Sequence, residues 1–72
     1  MTPEEIAQAY KAAMDSVNLI NDMIAAGKTV DPEDRDTIGR NVEHLKIMVA
    51  KTFWTTEDLK PLKDAITAGG AI

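Results

Sequence analysis

A chain of 72 residues with no cysteine is one domain without disulfides or thiolate metal sites. At that length only about 60–65% of the unfolded surface is buried, so stability has to come from regular helix packing or from self-association. Twelve acids against eight bases give a net charge of −4 with no basic patch, which argues against direct nucleic-acid binding and leaves a small, soluble, mildly acidic protein.

The first predicted helix opens at Thr2-Pro3-Glu4-Glu5. Thr2 can accept from the Glu5 N–H, Glu5 can reach back, and Pro3 suits the first helical position. The helix is expected over about 3–26, with Gly27 as the left-handed residue that ends it. Its apolar stripe is Ile6, Tyr10, Ala13, Val17, Ile20 and Ile24, in the steps of 4 and 3 that mark one helix face. Ala9, Ala12, Leu19 and Met23 widen it on one side and Met14 on the other. An arc this broad is more than one neighbouring helix covers, and it points to a homodimer or to a third helix.

Lys28-Thr29-Val30 is a short connection, so the next helix has to turn back antiparallel. That helix is expected over about 32–53. Asp31 caps it, Pro32 takes its first position, and Glu33 and Asp34 fill its first turn. Its main stripe is Ile38, Val42, Leu45, Val49 and Thr52. Ile47, Ala50 and Trp54 form a thinner second stripe, with Ile47 about 160° around the helix from Leu45. Asp36 and Arg40 make an i,i+4 pair worth a few tenths of a kcal/mol.

Thr55-Thr56-Glu57-Asp58 is a third helix start, followed by Leu59, Leu62, Ala65 and Ile66 over about 56–68. Pro61 conflicts with a helix capped at Thr55, because it removes a hydrogen bond. The expectation is a kink, or a helix proper that begins near Pro61. The fold class is therefore all-α, with residues 1–72 as a single helical domain. An antiparallel two-helix hairpin carries a short third helix, as a three-helix bundle or as half of a dimeric four-helix bundle.

No stretch has the pattern of a catalytic or metal centre. Gly27-Lys28-Thr29 resembles the end of a phosphate-binding loop, but Asp22 stands where the leading glycine is needed and a helix precedes it. Asp31, Glu33, Asp34 and Asp36 could suggest calcium, yet a calcium loop starting there would put Asp36 at its glycine position and Val42 at its final glutamate position. His44, the single histidine, could pair with Met48 as a metal ligand or with Glu43 as a base. It reads more simply as a boundary residue beside the core stripe. No enzyme activity, cofactor or metal is expected.

Leu19, Met23, Ile47, Ala50 and Trp54 are the interface candidates. Either the third helix covers them or they meet another protein, tryptophan being enriched at interface centres. No apolar run reaches the roughly 20 residues of a membrane span. The acidic start Met1-Thr2-Pro3-Glu4-Glu5 lacks signal-peptide features, so a cytoplasmic location is expected.

The stretch Arg40-Asn41-Val42-Glu43-His44-Leu45-Lys46-Ile47-Met48, with Phe53-Trp54-Thr55-Thr56-Glu57-Asp58-Leu59 after it, resembles short uncharacterised proteins of tailed bacteriophages. The resemblance implies a phage accessory protein, either a small particle component or a helper that binds a host protein. It carries across no functional residue. The expected function is a non-catalytic interaction or structural module that self-associates as a homodimer. An acidic inhibitor that mimics nucleic acid or blocks a host protein is the alternative.

Overall fold

In a computed structural model, which describes residues 1–72, three helices follow in order: α1 (Pro3–Ala25), α2 (Pro32–Val49) and α3 (Thr56–Gly70). Each pair of helices is in contact, and the bundle is a rod of 40 × 17 × 17 Å. The short loops make α1 and α2 antiparallel and α2 and α3 antiparallel, so α3 runs alongside α1 in the same direction.

The helix starts form as their residue chemistry dictates. Thr2 and Glu5 complete a reciprocal capping box on α1, and Thr55 and Asp58 complete another on α3. Asp31 accepts from the Glu33 N–H at 2.8 Å to cap α2. Gly27 has φ +73° and closes α1. Its N–H donates to the Ile24 carbonyl, and the Lys28 N–H donates to the Met23 carbonyl. This pair of bonds requires a left-handed residue between, and glycine adopts that conformation without a Cβ clash.

The core joins all three helices. Ala13, Val17, Ile20 and Met23 come from α1, Ile38, Val42 and Leu45 from α2, and Leu62 and Ala65 from α3. Ile20, Ile38, Leu45 and Leu62 are its largest fully buried side chains. Gly69 lets α3 approach α2. A Cβ at that position would lie 2.5 Å from Val42 Cγ2 and 3.3 Å from Ile38 Cγ2, so only glycine fits without a shift. Most of the broad apolar arc of α1 is thus taken up inside one chain, by α2 on one side and α3 on the other, with Ala12 and Leu19 left exposed.

Two expectations are corrected. The second helix ends at Val49 rather than near residue 53, and residues 50–55 turn back. Trp54 drives the turn. Its indole N–H donates to the Met48 carbonyl at 2.7 Å, and the Lys51 N–H donates to the same oxygen at 3.1 Å. Trp54 stacks edge-on against Tyr10 at 6.0 Å and tilts against Phe53 at 4.5 Å. Folding back buries a large aromatic surface and satisfies the indole, which one more helical turn would not. The Ile47-Ala50-Trp54 stripe therefore does not exist as a helix face.

The other correction concerns Pro61, which sits inside α3. The bond it cannot donate would have gone to the carbonyl of Glu57, an exposed residue. Water can serve that oxygen, and the Thr55–Asp58 box secures the helix start regardless.

Candidate interaction surface

The five sequence-predicted interface residues separate into two groups. Trp54 and Met23 are core residues, each 9% exposed. Leu19, Ile47 and Ala50 are on the surface. Among large aliphatic side chains away from the termini, those left exposed are Leu19 at 40%, Ile47 at 62% and Val30 at 81%.

Leu19 lies one turn beyond Ser16 on the edge of α1 that faces α2. Here the structure holds a contact that sequence reasoning missed. Ser16, 6% exposed, hydrogen-bonds through Oγ to His44 Nδ1 at 2.7 Å. With Nδ1 unprotonated, the hydroxyl donates. It is a polar tether between α1 and α2, and no buried side-chain polar atom in the protein lacks a partner. A serine hydrogen-bonded to a histidine is also the first half of a nucleophile–base arrangement. None of the three surface depressions is lined by either residue. Ser16 is hard to single out from sequence because one small polar residue beside an alanine-rich stripe gives no periodic signal. His44 sits at the core boundary, as its place in the stripe implies.

Ile47 points elsewhere. At about 100° per residue it lies roughly opposite the mean direction of Ile38, Val42 and Leu45, so it faces straight away from the core. The same outward face carries Asp36, Gly39, Arg40 and Glu43, all exposed. Asp36 pairs with Arg40 along the helix, and Glu43 with Lys46 at 3.3 Å. Gly39 stands on the α3 side of this face, with no atom within 4 Å of where a Cβ would be. A shallow depression lined by Pro32, Arg35, Asp36, Gly39, Gly69 and Ile72 continues this face toward α3. Within it the Arg35 guanidinium donates to the Ile72 carbonyl at 3.2 Å.

Charge along α2 and its flanks is polarised. Residues 31–36 hold Asp31, Glu33, Asp34 and Asp36 against Arg35, and residues 40–51 hold Arg40, Lys46 and Lys51 against Glu43. The first group is net −3 and the second net +2. The acids sit on the positive end of the helix dipole and the bases toward its negative end, an arrangement that stabilises the helix by itself. Val30, just ahead of the cap, and Ile47, near the far end, place one exposed aliphatic residue in each half.

No protein-family model, curated protein or solved structure matches the chain. No helix is long and apolar enough to cross a membrane, and no group of three or more histidine, cysteine or acidic residues is placed to hold a metal ion.

Proposed function

We propose that this chain is a non-catalytic helical interaction module that self-associates. The observation that carries the reading is the outward face of α2. There an exposed Ile47 and an open Gly39 lie on a helix whose inward face is already fully packed. A helix interior glycine costs about 1 kcal/mol relative to alanine, and nothing inside the bundle occupies the space it leaves. A second protein surface would use both features, and in so small a domain association also supplies stability. The Ser16–His44 bond serves in this reading as a tether that fixes the α1–α2 register.

The resemblance to tailed-phage proteins supports the same role, as an accessory protein that acts by contact. An acidic mimic of nucleic acid has less support, because Arg35 and Arg40 interrupt the acids of α2. Light scattering from micromolar to millimolar concentration tests self-association. The expected mass rises from 7.8 kDa to about twice that value, the simplest closed assembly being a two-fold dimer. A mass of 7.8 kDa throughout would remove the self-association reading.

A further inference from the structure

We propose that the turn between α2 and α3 is a latched hinge: when it opens, α2 and α3 join into one helix, and two copies of the chain exchange their third helices. The inference rests on the self-association reading but not on the outward face of α2, because the surface it uses is the one that α3 already covers in a single chain.

The first observation is an apolar row that crosses the turn without changing phase. Ile38, Leu45, Thr52, Leu59 and Ile66 follow one another at intervals of seven, the repeat that keeps one face of two supercoiled helices in contact. Ile38 and Leu45 are buried, and Leu59 and Ile66 pack against the same core from α3. Two helices that a turn separates have no need to share one register; a single helix does.

The chemistry of the turn is the second. Residues 50–55, Ala-Lys-Thr-Phe-Trp-Thr, contain no glycine and no proline, and no positive φ occurs among them. Ala50, at φ −73° and ψ −14°, is still helical. The connection between α1 and α2 is different in kind. Gly27 at φ +73° ends α1, and a helix running on through it would place Pro32 in its interior, where the ring clashes. Pro61 raises no such objection, since it lies inside α3 whether the hinge is closed or open.

The third is the latch. If α2 continued, the Met48 carbonyl would accept from the Thr52 N–H. In the closed chain it accepts from the Lys51 N–H at 3.1 Å and from the Trp54 indole N–H at 2.7 Å instead. Helix extension and the indole compete for one oxygen, which gives the turn two alternative states.

The groove that receives the exchanged helix is the one between α1 and α2. Its fit to α3 is seen within one chain, where Leu62 and Ala65 are buried and Gly69 lies against Val42. Because α3 runs antiparallel to α2, two opened chains lay their long helices antiparallel and place each α3 on the partner's α1 and α2. That assembly closes about a two-fold axis. It keeps the packing of α3 and changes only the turns, so concentration decides between the two forms.

Spin labels on Glu43→Cys and Thr67→Cys, both exposed positions in a chain with no cysteine, read the hinge by pulsed electron paramagnetic resonance. Labelled chain is diluted into unlabelled chain so that only pairs within one chain count. In the closed bundle the two positions stand across a rod 17 Å wide. They are 24 residues apart, which is about 36 Å in one helix at 1.5 Å per residue. The short distance is expected in the monomer at low micromolar concentration, and about 36 Å in the dimer fraction formed at millimolar concentration.

Two variants shift the balance in opposite directions, with mass read by light scattering. Trp54→Phe frees the Met48 carbonyl and keeps an aromatic ring. Two latches open per dimer, so the dimer dissociation constant is expected to fall by about ten-fold or more. Lys51→Gly with Thr52→Gly, both at exposed positions, disfavours a helix through the turn and is expected to raise the constant by about ten-fold. A dimer that keeps the short distance overturns the hinge and leaves self-association through a surface of the closed bundle. If the wild type and Trp54→Phe both stay monomeric at millimolar concentration, the hinge and the self-association reading fall together. If only the wild type stays monomeric and Trp54→Phe dimerises with the long distance, the hinge stands and wild-type self-association falls.

Discussion

The two faces of α2 are built on different terms. The inward face, Ile38, Val42 and Leu45, is at most 5% exposed, and each of its residues is explained by the neighbours it meets. The outward face holds a glycine with empty space, an exposed isoleucine and the ion pairs Asp36–Arg40 and Glu43–Lys46. Folding of one chain accounts for the first face and leaves the second unexplained. What a fold does not require is where a role in contact can be sought.

The largest contrast between the faces is expected from truncating side chains two positions apart. Leu45→Ala removes a fully buried side chain and should cost about 2–5 kcal/mol, enough to unfold much of a domain this small. Ile47→Ala should change the stability of the monomer by no more than about 0.5 kcal/mol. Urea denaturation at low micromolar concentration checks both. Equal losses would mean that Ile47 is part of the core and the contrast is false.

Two helix glycines, Gly39 inside α2 and Gly69 in the last turn of α3, give the next contrast. Gly69→Ala forces a methyl group toward Val42 and Ile38 and should destabilise the bundle by about 1–3 kcal/mol, beyond what the better helix propensity returns. Gly39→Ala meets nothing and should stabilise the dilute monomer by about 0.5–1 kcal/mol. Thermal melts will separate them, since 1 kcal/mol corresponds to roughly 4–8 °C in a domain of this size. A fall in stability for Gly39→Ala would show that the position is constrained inside one chain.

Smaller effects are expected where polar groups join elements. Ser16→Ala takes the partner from His44 Nδ1 and should cost about 1 kcal/mol. Trp54→Phe removes the N–H that serves the Met48 carbonyl and should cost about the same. In the latter the aromatic packing on Tyr10 remains. A much larger loss would assign more of the loop's stability to the hydrogen bond than to burial.

Fold class and element order are legible in the sequence because the stripes Ile6–Ile24 and Ile38–Val49 recur at helical spacing, and because Thr2, Asp31 and Thr55 stand before acidic first turns. The end of α2 is not legible. Periodicity continues through Thr52, and the pull of Trp54 toward Tyr10 is a long-range contact that local pattern does not record. The third helix is legible as a start signal but in conflict with Pro61, a conflict resolved by the exposure of one unbonded carbonyl. Of the surface residues, Ile47 is marked by its angle to Leu45. Val30 is hidden in a loop, where periodicity has no meaning. Gly39 adds nothing to an apolar stripe, although a glycine in a helix interior is itself a signal. The acidic end of α2 is legible as a helix-start cluster at Asp31–Asp36, and the bases toward its other end complete a pattern that the helix dipole accounts for.

The most direct measurement uses the absence of cysteine from the sequence. Gly39→Cys would place one thiol at the open position of α2, and Lys63→Cys would place one on the exposed side of α3. Under mild oxidation at low micromolar concentration, Gly39→Cys is expected to become a covalent dimer far faster than Lys63→Cys, because bridging needs Cα atoms within about 7 Å. Equal rates for the two variants would contradict self-association through the outward face of α2.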